Sequence, residues 1–185
     1  MNIDFDAFPN ALGLVTKEQR EPFTKPAMHL EYLYECGKIS TDEFLEKLYH
    51  VFHSAYSTSQ LLDAYNAIIV SENSTILPFI QEVQKKYRIA VLSNTSEAHW
   101  EKSLTIAPLL QLFPQKFTSF QIGAMKPAKI VYEKVIEALA VQPSEILFID
   151  DVKENIEGAL SCGMNGIVYT SVEQLSKEFN ILSIL

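Results

Sequence analysis

Apolar residues change their spacing along this chain near residue 75. Before that point they recur at helical intervals. Residues 28–36 read as one helix, closed by Gly37. Ser40-Thr41-Asp42-Glu43 reads as a cap, with Ser40 or Thr41 as N-cap and acids in the first turn. Phe44, Leu45, Leu48, Val51 and Phe52 then follow on one helical face. Residues 59–70 repeat the pattern with Leu61, Leu62, Tyr65, Ile68 and Ile69. These segments predict a small helical bundle, with Tyr32, Tyr34, Phe44, Tyr49, Phe52, Tyr56 and Tyr65 as its core.

After residue 75, continuous apolar runs alternate with helical stretches. Residues 76–87 predict a helix, with Pro78 tolerated in its first turn. Residues 88–94 predict a strand, 117–122 a short strand and 127–139 a helix. Residues 145–151 predict a buried strand, 152–162 a helix and 165–170 a last strand. Apolar strands alternating with helices imply an α/β fold with a parallel sheet covered on both faces. Ligands in such sheets bind at the carboxyl ends of the strands.

Composition narrows the class. A chain of 185 residues with 48% hydrophobic residues can bury a core of about one domain. A net charge of −8 argues against binding nucleic acid or an anionic membrane surface. No apolar run approaches the ~20 residues of a membrane span. The first residues carry acids and no basic stretch, unlike a signal peptide. Cys36 and Cys162 stand 126 positions apart, with no metal-site spacing, which suits a reduced cytoplasmic protein. His29, His50, His53 and His99 are scattered. His50 and His53 share a helix face, as an ordinary surface pair does.

Three polar clusters sit at predicted strand ends. Ser93-Asn94-Thr95-Ser96 offers a hydroxyl and main-chain N–H groups that suit an oxyanion; an N-cap by Thr95 or Ser96 explains it equally well. Lys126, before Pro127, could neutralise a phosphate or be solvated surface. Asp150 and Asp151 are adjacent carboxylates after a buried run, with Asn155 one helical turn on. Oxygen donors gathered there suit a hard cation such as Mg²⁺, which relieves their repulsion. A helix N-terminus stabilised by acids is the alternative.

Read together, 91–94, 125–127 with Ile130 and Tyr132, and 148–151 with Asn155, Ile156, Gly158, Ala159 and Gly163 resemble motifs two, three and four of the haloacid dehalogenase-like (HAD) hydrolases. Residues 36–40 are similar to a turn in that superfamily's small helical cap. The resemblance implies a three-layer Rossmann-like, mostly parallel core over residues 75–185, a helical-bundle cap over 16–74, and residues 1–15 joining the core. It implies Mg²⁺-dependent hydrolysis of a small phosphorylated metabolite through an aspartyl-phosphate, by a monomer or homodimer. Ser93 and the Asn94 main chain would hold phosphate, and Lys126 would neutralise it and orient the nucleophile. Asp150, assisted by Asp151, would ligate the metal, with Asn155 in support. Haloacid dehalogenation on the same scaffold uses no metal and suits the carboxylate pair less well.

The family's first motif is an apolar strand ending in Asp-x-Asp. Here Asp4 and Asp6 have that spacing, as nucleophile and acid/base, with Asp4 also at the metal, but only three residues precede Asp4. A strand usually has ~5–6 residues. In a second alignment, residues 2–12 resemble the stretch that leads from that motif into the cap. The first strand and nucleophile are then absent from this chain, leaving a non-catalytic protein that binds phosphate or a partner. That strand is central in the family, so its absence predicts a gap between the strands ending at Ser93 and Asp150.

Overall fold

The computed structural model describes residues 1–184. The chain opens with β1 (Asn2–Ile3) and four helices, α1 (Ala7–Ala11), α2 (Lys17–Glu35), α3 (Thr41–Val51) and α4 (Thr58–Asn66). The helix starts follow local chemistry. Thr16 with Gln19, Ser40 with Glu43 and Ser57 with Gln60 each form a reciprocal capping box. The Thr16 box starts α2 well before the predicted residue 28 and carries it through Pro22 and Pro26.

Tyr34, Phe44, Phe52 and Tyr65 form the buried centre of this layer, with the Tyr34 and Phe44 rings stacked at 4.5 Å. Tyr49 and Tyr56 lie at its edge. Tyr32 points outward, 57% exposed, against expectation. Residues 1–15 join this helical layer rather than the parallel core. Phe8, Leu12 and Leu14 pack among the cap residues, and Tyr56 donates to the Leu12 carbonyl. β1 pairs antiparallel with β2 (Ile69–Ser71), so Ile69 and Val70 form a strand where the apolar spacing predicts the end of a helix.

The remaining elements are α5 (Leu77–Val83), β3 (Ala90–Ser93), α6 (Glu97–Ile106), β4 (Gln115–Thr118), α7 (Ser119–Ile122), α8 (Lys129–Leu139), β5 (Leu147–Asp150), α9 (Lys153–Ser161), β6 (Asn165–Val168) and α10 (Val172–Ile181). β3 pairs parallel with β4, and β5 parallel with β6. The predicted strand over 117–122 divides at Thr118. Thr118 is opposite Ser93, the last residue of β3, so the next segment has no ladder partner and coils into α7.

Helices cover both faces. Phe79 of α5 and Leu175 and Phe179 of α10 pack on Leu147, Ile149 and Ile167. Tyr132 and Val135 of α8 and Ala159 of α9 pack on Leu92, Phe117, Ile146 and Phe148. This is the three-layer α/β arrangement that alternating elements demand. It is split in the middle: β3 and β5 are not paired, and a cavity of about 1060 Å³ lies against both. Every residue of these two strands is therefore only half-buried, although their apolar runs predict burial on both faces.

Candidate phosphate site at the strand ends

Ser93 ends β3, and Ser96 caps α6 by accepting from the His99 N–H. Between them, Asn94 fastens the loop that carries Lys126. Its side-chain amide donates to the Lys126 carbonyl (3.0 Å), and its Oδ1 accepts from the Lys126 N–H (2.8 Å). Ser119 holds the neighbouring loop in the same reciprocal way, accepting from the Thr95 N–H and donating to the Thr95 carbonyl. The Asn94 side chain is thus a positioning group for Lys126, beside the main-chain role that the resemblance implies.

So held, Lys126 extends its ammonium across the gap between the two strand pairs. Nζ donates to the Leu92 carbonyl at 3.1 Å and to Asp150 Oδ2 at 2.6 Å, and lies 5.5 Å from the Phe148 ring centre. Both side chains are nearly buried, 9% and 7% exposed. The other Asp150 oxygen accepts from the Val152 N–H (2.9 Å) and from Asn155 Nδ2 (3.0 Å). Burial pushes the Asp150 carboxyl up, but the bonds from Lys126, Asn155 and Val152 outweigh it and hold the group below the usual carboxylate range. Asn155 is fixed in turn by Tyr132, whose buried hydroxyl donates to its carbonyl at 2.7 Å. Gly158 makes room for that ring: a Cβ there would meet the Tyr132 ring and hydroxyl within 3 Å.

Ser93, Asn94, Lys126, Asp150 and Asn155 thus come together at the carboxyl ends of β3 and β5. Asp151 is exposed beside them. Asp4 and Asp6 bond elsewhere. Asp4 Oδ1 accepts from the Asp6 N–H, its N–H donates to the Ile68 carbonyl, and Asp6 pairs with Arg20 of α2. Asp150 Oδ1 accepts two protein donors and Oδ2 one, and among the described residues no three Asp, Glu, His or Cys side chains gather. Mg²⁺ commonly takes only one or two carboxylates, with waters completing its shell, so Asp150 and Asp151 suffice in kind to hold it.

A second polar joint, which helical spacing alone does not reveal, ties cap to core. Tyr34 Oη accepts from the Ala98 N–H, and Thr41 donates to Glu97. Tyr65 donates to Ser96 and stacks on His99 at 3.8 Å between ring centres, while His99 Nε2 bonds the Tyr65 carbonyl.

This fold and these strand-end residues match a known family over most of the chain: residues 10–169 fit the haloacid dehalogenase-like hydrolase family. The chain belongs to that family. A D-ribitol-5-phosphate phosphatase of Bacteroides thetaiotaomicron is 30% identical over 128 residues, which are 66% of this chain and 62% of that protein. Acyl-CoA dehydrogenase family member 10 of Mus musculus is 28% identical over 153 residues, 79% of this chain and 14% of that protein. The chain therefore spans less than two thirds of the length of either relative. A HAD family enzyme from Bacteroides thetaiotaomicron, crystallised with magnesium and inorganic phosphate, has the same fold. It superposes with a TM-score of 0.81 at 22% identity, covering 96% of this chain and 92% of that one.

Proposed function

We propose that this HAD hydrolase acts on small phosphate monoesters, taking the phosphate of a phosphorylated metabolite at Ser93, the Asn94 main chain and Lys126. The observation that carries the reading is the placement of the Lys126 ammonium, held by Asn94, over the carboxyl ends of β3 and β5. An ammonium there neutralises an incoming oxyanion, and Ser93 adds a hydroxyl donor. The phosphatase name of the first relative supports the substrate class.

Transfer through an aspartyl-phosphate needs a carboxylate facing Lys126. Asp4 Oδ1 accepts locally from the Asp6 N–H, Asp6 pairs with Arg20 of α2, and Asp150 is held by Lys126 itself. This favours a second reading for the chain as it stands: phosphate binding without turnover. One measurement tests the site that both readings share, and a second separates them. Inorganic phosphate should broaden in ³¹P NMR on adding the protein, less with Ser93→Ala, and not at all with Lys126→Ala; absence of broadening with the parent chain overturns the site. Hydrolysis of an aryl phosphate, with and without Mg²⁺, is then compared with Asp4→Asn. Turnover lost only in that variant makes Asp4 the nucleophile and removes the binding-only reading. No turnover in either removes Asp4 from the chemistry.

A further inference from the structure

Two reciprocal bridges join the same pair of segments beside the phosphate site. Asn94 grips the Lys126 main chain with its side chain, donating to the carbonyl and accepting from the N–H. One residue on, the Thr95 main chain is gripped by the Ser119 side chain. Ser119 Oγ accepts from the Thr95 N–H at 2.9 Å and donates to its carbonyl at 3.0 Å. The β3–β4 ladder ends at Ser93 and Thr118. Ser119 stands just past that last pair, and its hydroxyl carries the pairing on. Both Ser119 and Thr95 are buried. With residues 119–126 between them, the two bridges close a ring that contains Asn94 and Lys126.

The cap touches this ring along α7. The Gly37 backbone lies so close to the Phe120 carbonyl that an added Cβ would fall on it. Lys38 follows at the far end of α7, its Nζ 3.8 Å from where a Gly123 Cβ would stand. Gly123 closes α7 by donating to the Ser119 carbonyl at 2.8 Å, and Lys126 follows in the same loop. The cap turn thus bears on a single helical turn whose first residue holds Thr95 and whose end leads into Lys126. Bonded end to end, α7 shifts as one body.

A hydroxyl that pairs two buried main-chain groups stabilises a fold wherever it occurs. Here those groups belong to the residue after Asn94, whose main chain holds phosphate in the reading above. The hydroxyl itself sits on the helix that the cap bears on. We propose that Ser119 is a positioning residue of the phosphate site, and that α7 passes the position of the cap turn at Gly37 through Ser119 to Thr95, and so to Asn94 and Ser93. This inference rests on the phosphate reading. Its physical content is a coupling: a shift of the turn at Gly37 changes phosphate affinity through the Ser119–Thr95 bonds.

The experiment is a double-mutant cycle on the full chain, read as the dissociation constant of inorganic phosphate from ³¹P line broadening. Ser119→Ala should weaken binding about tenfold. Gly37→Ala displaces α7; it should weaken binding about fivefold alone, and less than about twofold in the Ser119→Ala background. Ser119→Cys keeps the side chain's size with a weaker donor and should fall between the parent chain and Ser119→Ala; it closes the cycle where the alanine variant does not fold. Gly13→Ala strains a left-handed glycine without any contact and should leave phosphate affinity unchanged, which separates positioning from a general loss of stability. Without phosphate, exchange of the Thr95 amide should quicken about tenfold or more in Ser119→Ala, and should quicken in Gly37→Ala as well. Equal weakening by Gly37→Ala in both backgrounds, or a Thr95 amide that Gly37→Ala leaves unchanged, overturns the coupling. Unchanged phosphate affinity in both Ser119 variants overturns the positioning role. Absence of broadening with the parent chain overturns the phosphate site and this inference with it, a result distinct from binding that no variant alters.

Discussion

At the scale of single residues, the Lys126–Asp150 pair concentrates most of the site's electrostatics. The pair is nearly buried, and each member satisfies the other. Removing one partner of such a pair strands a charge and costs about 3–5 kcal/mol. Lys126→Met should therefore lower the unfolding free energy by about 3 kcal/mol in urea denaturation, and Lys126→Met with Asp150→Leu should recover most of that loss. A cost within the ~0–1 kcal/mol of a surface ion pair would show that water reaches the pair. The importance of these residues is legible in sequence, because Lys126 and the adjacent Asp150 and Asp151 break apolar patterns at strand ends. Their mutual contact is not, since 24 positions and a helix separate them.

At the scale of elements, the cap meets the core where the turn after α2 touches α7. Gly37 has φ +60°, in the left-handed region, and an added Cβ would fall on the Phe120 carbonyl. Gly13 has φ +73° with open space around its Cβ position. The two glycines thus separate backbone strain from contact. Gly13→Ala should cost about 1 kcal/mol of stability. Gly37→Ala should cost about that much again or more, because α7 must shift, and should speed proteolysis between cap and core. Equal urea midpoints for the two variants would mean that the Phe120 contact does not hold the joint.

At the scale of the whole molecule, the cap–core layer makes stability depend on pH in two opposed ways. Burial, with the Glu31 charge beside it, pushes the Glu35 carboxyl up to about 7. The folded state therefore binds a proton that the unfolded chain has released, and this contribution is lost as pH rises from about 4.5 through 7. Burial pushes His99 down to about 4, against the bond to the Tyr65 carbonyl. Its contribution is present above pH 6.5 and is lost as pH falls toward 4. The two oppose each other between about 4.5 and 6.5; above that interval only Glu35 still changes. Glu35→Gln should flatten the fall in thermal midpoint between pH 6 and pH 8. An unchanged slope would show that Glu35 is solvated.

The sequence by itself determined the elements that depend on neighbours a few residues away. Ser40 with Glu43 starts α3, Ser96 caps α6, and apolar runs ending at Ser93 and Asp150 form β3 and β5. It also carried the resemblance that places this chain among the HAD hydrolases. Tertiary structure decided whatever depends on a distant partner. The second half of the run 117–122 coils because β3 stops at Ser93, and Ile69 and Val70 extend because β1 lies beside them. Asp6 turns to Arg20 of α2, and the Asp4 main chain is held by the Ile68 carbonyl. An apolar run states that a strand must be buried on both faces, but not which strands flank it. The open line between β3 and β5 is therefore foreseen only through the family resemblance, in the alignment that leaves the first strand out, and only the fold shows it.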